Sequence, residues 1–157
     1  MWKKILSVLG FIVVLVVASI GGQIGKEVGK SAFSSKPTRQ QIEAKLIEGF
    51  NQAAEQSNRL GPRMLDQDTR WDTTTVGPGA RVNYYYTFPN YSSQDVTAAW
   101  LDTNLKSVVK NGVCTNKDMK PSLQYGGTYV YVYRGNDGVE ITRFMFNRHD
   151  CNLPSAP

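Results

Sequence analysis

Histidine and cysteine are nearly absent from this sequence: one histidine, His149, and two cysteines, Cys114 and Cys151, stand among 157 residues. That scarcity excludes the usual zinc patterns, which need several closely spaced histidine or cysteine ligands. It also leaves little for nucleophilic catalysis, because His149 would need a reduced Cys151 and an orienting group. Excess charge is missing as well. The formal net charge is +5, but Lys3, Lys4, Lys26, Lys30 and Lys36 supply most of it. From Pro37 onward thirteen basic residues face twelve acidic ones, which is not the basic footprint of a nucleic-acid binder. Internal repeats and phosphate-binding glycine loops are absent, since Gly77-Pro78-Gly79 and Gly126-Gly127 match only turns. Asp66, Asp68 and Asp72 lack the glycine and terminal glutamate of a calcium loop. No catalytic residue, metal site, cofactor or nucleic-acid partner follows from the sequence.

What is present begins with an apolar run from Ile5 to Ile24 that contains no charge. As a helix it would be about 30 Å long, roughly one bilayer core. Residues 1–30 are therefore expected to form a membrane anchor with its flanks, in contact with lipid. A cleaved secretion signal ending near Ser19 and Gly21 is the alternative. No cysteine lies near the run, so a lipid-modified anchor is excluded. Gly21, Gly25 and Gly29 recur every four residues, a spacing that lets a second helix approach closely and marks a candidate self-association seam. Residues 31–37 read as a linker, 38–152 as one domain and 153–157 as an irregular tail. Two cysteines in a short exported chain imply a Cys114–Cys151 disulfide and an extracytoplasmic domain. Two reduced thiols in a cytosolic domain are the alternative. Closing a loop of about 38 residues would stabilise the fold by about 4 kcal/mol.

Within the domain, Thr38 and Gln41 match a capping box. Ile42, Leu46, Phe50 and Ala53 then recur at helical spacing, which predicts an amphipathic helix to Asn58, stopped by Gly61-Pro62. Two strands follow, about Asp66–Val76 and Arg81–Phe88. A second helix is expected from Ser92 or Ser93 to Asn111, ended by Asn111-Gly112. A loop bracketed by Lys120-Pro121 and Gly126-Gly127 leads to a hairpin, Thr128–Arg134 and Val139–Asn147, turned by Gly135-Asn136-Asp137-Gly138. The order α-β-β-α-β-β predicts an α+β domain whose four-stranded, mainly antiparallel sheet packs against helices.

Tyrosine is the one candidate for function. Tyr129, Tyr131 and Tyr133 must share a strand face, and Tyr85 falls opposite Tyr84 and Tyr86. Tyr85, Tyr129, Tyr131 and Tyr133 form a candidate binding surface able to stack on a glycan or grip a protein. Cross-strand stabilisation of the sheet is the alternative role.

The segments Val82-Asn83-Tyr84-Tyr85-Tyr86 and Gly127-Thr128-Tyr129-Val130-Tyr131, with Asp137-Gly138, Cys114 and Cys151, resemble small bacterial envelope proteins with a single N-terminal anchor and a disulfide-containing periplasmic domain. Pilotin-like secretion accessories are a looser likeness, from which this chain departs by lacking a lipid-bearing cysteine. The resemblance implies a non-enzymatic, single-pass inner-membrane protein whose periplasmic domain binds an envelope protein or glycan in assembly, secretion or exclusion. A structural, self-associating membrane protein using Gly21, Gly25 and Gly29, with the domain as spacer, is the second expectation.

Overall fold

In the computed structural model, which describes residues 37–156, the first helix starts where its capping sequence puts it. Thr38 Oγ1 accepts from the Gln41 backbone N–H at 3.2 Å, and Gln41 Oε1 accepts from the Thr38 N–H at 2.8 Å. This box satisfies two of the free donors at the start of α1 (Arg39–Asn58). Helix α1 buries Leu46, Phe50, Ala53, Ala54 and Ser57 along one stripe. It ends before Gly61, where an added Cβ would lie 2.5 Å from the Trp71 ring, so only glycine lets the chain pass.

The sheet strands are β1 (Arg63–Met64), β2 (Arg70–Gly77), β3 (Arg81–Phe88), β4 (Thr128–Gly135) and β5 (Glu140–Phe146). Three helices separate β3 from β4: α2 (Ala98–Asn104), α3 (Lys106–Thr115) and α4 (Lys120–Gln124). The strands lie in the order β1-β2-β3-β4-β5, with every neighbouring pair antiparallel except β3–β4. These elements correct the sequence reading in several places. The sheet has five strands rather than four, because two-residue β1 is too short to leave a periodic signal. It is mixed, because the chain from β3 to β4 crosses back over the sheet through helices and re-enters in the same direction. The second helix starts later, with Thr97 Oγ1 accepting from the Trp100 N–H at 3.2 Å, and it breaks at Leu105. Helix α3 then runs through buried Gly112 to Thr115, so Gly112 is a packing residue rather than a stop, and the expected loop at Lys120-Pro121 is helix α4.

The anchor at Ile5–Ile24 and the glycines Gly21, Gly25 and Gly29 lie outside the described residues. No described helix is long and apolar enough to cross a membrane.

One sheet face forms the core. Val82, Tyr84, Tyr86 and Phe88 of β3 lie beside Tyr129, Tyr131 and Tyr133 of β4 and Phe144 and Phe146 of β5. Leu46 and Phe50 of α1, Leu101 of α2 and Val109 and Val113 of α3 belong to the same cluster. Parallel register places Tyr84 beside Tyr131 and Tyr86 beside Tyr133, and the rings interleave into a ladder. Ring centroids are 6.4 Å apart for Tyr84–Tyr129, 5.3 Å for Tyr84–Tyr131, 6.2 Å for Tyr86–Tyr131 and 5.2 Å for Tyr86–Tyr133. Aromatic pairs at such spacing add about 0.5–1.5 kcal/mol each beyond the burial of their area.

Beside this core, the Asn58 amide at the end of α1 closes the outer edge of β2. Its Nδ2 donates to Thr74 O at 2.8 Å and its Oδ1 accepts from the Thr74 N–H at 2.8 Å, as a neighbouring strand would.

The ladder's hydroxyls are not equivalent. Ser122 Oγ donates to Met119 O at 2.8 Å, so the Tyr129 hydroxyl, 2.7 Å from Ser122 Oγ, is the donor of that pair. The buried hydroxyls of Tyr86 and Tyr133 have no hydrogen-bond partner among the described residues. Tyr129→Phe is therefore expected to lower stability by about 1–2 kcal/mol, whereas Tyr133→Phe leaves it unchanged or raises it. Urea unfolding of both variants checks this, and an equal loss for the two would contradict it.

Candidate functional site

The tyrosines of the expected binding surface divide between the two faces of the sheet. Tyr129, Tyr131 and Tyr133 are at most 1% exposed and belong to the core ladder. They cannot stack on a glycan or grip a protein, because the described helices occupy that side. Burial pushes their hydroxyl pKa values up, so the rings stay neutral at physiological pH. Tyr85 alone of the four lies half-buried on the opposite face.

That second face carries a different chemistry. Strand alternation brings Asn83, Tyr85 and Thr87 of β3 beside Val130, Val132 and Arg134 of β4, with Arg143 and Met145 of β5 next in register. Val130 and Val132 are fully buried yet stand outside the core cluster that the helices share. The Arg134 guanidinium lies over the Tyr85 ring, 4.8 Å from its centroid, close enough for a cation–π contact. Arg143 forks onto Glu140, with Nε–Oε1 and Nη2–Oε2 both 2.8 Å. A one-residue bulge in β5 makes this possible by turning Glu140 to the Arg143 side. On β2, Asp72 accepts from Arg70 Nε and from Thr87 Oγ1, both at 2.6 Å. Arg70, Arg81, Arg134 and Arg143 thus outnumber Asp72 and Glu140 on this face, leaving it positive and centred on one aromatic ring.

Elsewhere, Cys114 in the last turn of α3 is bonded to Cys151 beyond β5, with Cα atoms 5.1 Å apart. This bond pins the helix layer to the end of the sheet and leaves no free cysteine. His149 is exposed, its backbone N–H held by Asn147 Oδ1 at 2.8 Å. Asp66 Oδ1 accepts from the N–H groups of Asp68 and Thr69, which makes it a turn residue. Among the described residues no three acidic, histidine or cysteine side chains converge on a common point that could hold a metal ion. The arginine cluster escaped the sequence reading because Arg134 and Arg143 meet Tyr85 only through the parallel β3–β4 pairing. The one available signal was Tyr85 falling out of phase with Tyr84 and Tyr86.

These features define a class: an α+β domain with a single mixed sheet, helices packed on one face and a disulfide tying the helical layer to the sheet's end. Residues 43–142 match the family described as Domain of unknown function (DUF8479), and the chain belongs to that family. No curated protein matches the chain. Among solved structures, a candidate secreted protein of Pseudomonas aeruginosa is similar, with a TM-score of 0.61 and 16% identity over 70% of this chain and 96% of that one. The type II secretion system pilotin AspS of Vibrio cholerae is similar over 71% of this chain and 97% of its own, with a TM-score of 0.55 and 14% identity. The pilotin EpsS of the Vibrio vulnificus type 2 secretion system has a TM-score of 0.59 and 17% identity, over 71% and 96% of the two chains.

The likeness thus runs to a candidate secreted protein and to pilotins, and it replaces the expected likeness to single-anchor envelope proteins. The single-pass inner-membrane assignment, with membrane lipid as a partner, is corrected with it: no described helix can span a membrane. The chain shares its fold with these neighbours, and within that fold it carries the Cys114–Cys151 disulfide.

The Glu140 carboxyl is held below its ordinary pKa, first by the hydrogen bonds from Arg143, which outweigh the opposing effect of burial, and then by the weaker pull of the Arg143 and Arg134 charges. A carboxyl depressed in the folded state stabilises the fold fully above its unfolded pKa, and that contribution is lost as pH falls through the folded value. The melting temperature of Glu140→Gln should therefore lie below that of the wild type at neutral pH. The gap should close as the pH drops below about 4.3, the ordinary glutamate value. A gap independent of pH would contradict the assignment.

Proposed function

We propose that this protein is a secretion-associated factor working outside the cytoplasm, a pilotin-type domain that binds another envelope protein without chemistry. The observation that carries this reading is the Cys114–Cys151 bond, set in a fold shared with two secretion pilotins. A disulfide of this kind persists in oxidising compartments and is rare in the cytosol. The contact surface is the second sheet face around Tyr85 and Arg134, and its excess of arginine over acid selects an acidic segment of the partner. Arginine and tyrosine are the residue types that most often dominate such contacts.

A strain lacking the protein should lose secreted polypeptides from its medium, and the wild-type gene should restore them. Arg134→Glu, oxidised and folded like the wild type, should not restore them. An unchanged medium in the deletion strain contradicts the secretion role, and rescue by Arg134→Glu contradicts the surface. The second reading, self-association through Gly21, Gly25 and Gly29 with the domain as spacer, rests on the four-residue spacing of those glycines outside residues 37–156.

A further inference from the structure

The second sheet face already carries a carboxylate seated on one of its arginines. In register, Tyr85, Val132 and Arg143 form one row across β3, β4 and β5, and Thr87, Arg134 and Glu140 form the next. Glu140 therefore stands opposite Arg134 and accepts the Arg143 fork, with Nε–Oε1 and Nη2–Oε2 both 2.8 Å. The β5 bulge brings it there, since regular alternation would put Glu140 and Arg143 on opposite faces. The two acids of this face are held differently. Asp72 is fixed within the sheet, accepting from Arg70 Nε and from Thr87 Oγ1 of the neighbouring strand, both at 2.6 Å. Glu140 accepts from Arg143 alone among the described residues, and the pair stays open to water, its side chains 36% and 50% exposed. Such a pair has the geometry of a strong carboxylate contact, yet in water it costs little to break.

We infer that Glu140 is a built-in occupant of the carboxylate seat on Arg143, and that an acidic segment of the partner binds by taking its place. This rests on the binding face proposed above and adds how that face is regulated. In the free protein the fork keeps Arg143 neutralised and already in the pose that a carboxylate needs. Binding then exchanges one forked pair for another, so an isolated carboxylate gains little from it. A segment with several acidic side chains gains more, because its other carboxylates meet Arg134, which makes no ion pair among the described residues. Glu140 thus sets the face to select runs of acid over single acidic groups.

Fluorescence anisotropy of a labelled oligoglutamate peptide, titrated with the full chain in mild non-ionic detergent, tests it. The wild type should bind the peptide, and Arg134→Glu should not. Glu140→Gln should bind it about two- to fivefold more tightly, the gain expected when a competing surface pair is removed. Glu140→Ala should do the same. In an Arg143→Gln background, where there is no fork to free, Glu140→Gln should bring a much smaller gain. An unchanged affinity in Glu140→Gln, while Arg134→Glu still abolishes binding, overturns the inference and leaves the binding face standing. An equal gain in both backgrounds is repulsion at a distance and overturns it as well. A peptide that no variant binds overturns the face and the inference together.

Discussion

The stacking of tyrosines across the parallel β3–β4 pair is the interaction on which the rest of the structure depends. In that register each ring of one strand sits beside or between rings of the other, and Phe88, Phe144 and Phe146 extend the row. Helix α1 seats Phe50 edge-on against Tyr129, at 5.7 Å between centroids, so the first helix takes its position from the ladder. Removing one such ring to alanine would cost on the order of 3–5 kcal/mol, a large share of the stability of a domain this size. The disulfide acts on the same layer from outside. It holds the end of α3 to the segment after β5, and its contribution of about 4 kcal/mol comes mainly from restricting the unfolded chain.

With the ladder tyrosines committed to the core, the second face is built from valine, arginine and acidic residues around Tyr85. Strand β4 is buried on both sides, by tyrosine on one and by Val130 and Val132 on the other. The polar groups of the second face are gathered into compact pairs: Arg134 on Tyr85, Arg143 on Glu140 and Arg70 on Asp72. Pairing of this kind holds arginine heads in place at a surface, which lowers the ordering cost of meeting an acidic partner. The proposed binding role rests on this arrangement.

Much of the fold was legible in the residues, and the misses have physical causes. Helix α1 was readable because capping and stripe agree from Thr38 to Asn58. The β2–β3 and β4–β5 hairpins were readable because Gly79 and Gly138 adopt positive φ in their turns. Alternation showed that Tyr129, Tyr131 and Tyr133 share a face, but periodicity is relative and does not say which face the helices cover. Tyrosine, with a polar tip on an apolar ring, suits either side, and the reading placed three of four on the wrong one. The parallel pairing of β3 and β4 depends on how a long helical crossover packs, a tertiary fact with no local signature. The break at Leu105 likewise has no glycine or proline to mark it.

Hydrogen exchange resolved by residue tests the central role of the ladder most directly. The amides of β3 from Val82 to Phe88 and of β4 from Tyr129 to Arg134 should exchange only through global unfolding, and more slowly than those of α1 and α2. Helix amides that outlast β3 and β4 would contradict the account, because the helical layer, rather than the stacked tyrosines, would then be the last structure to open.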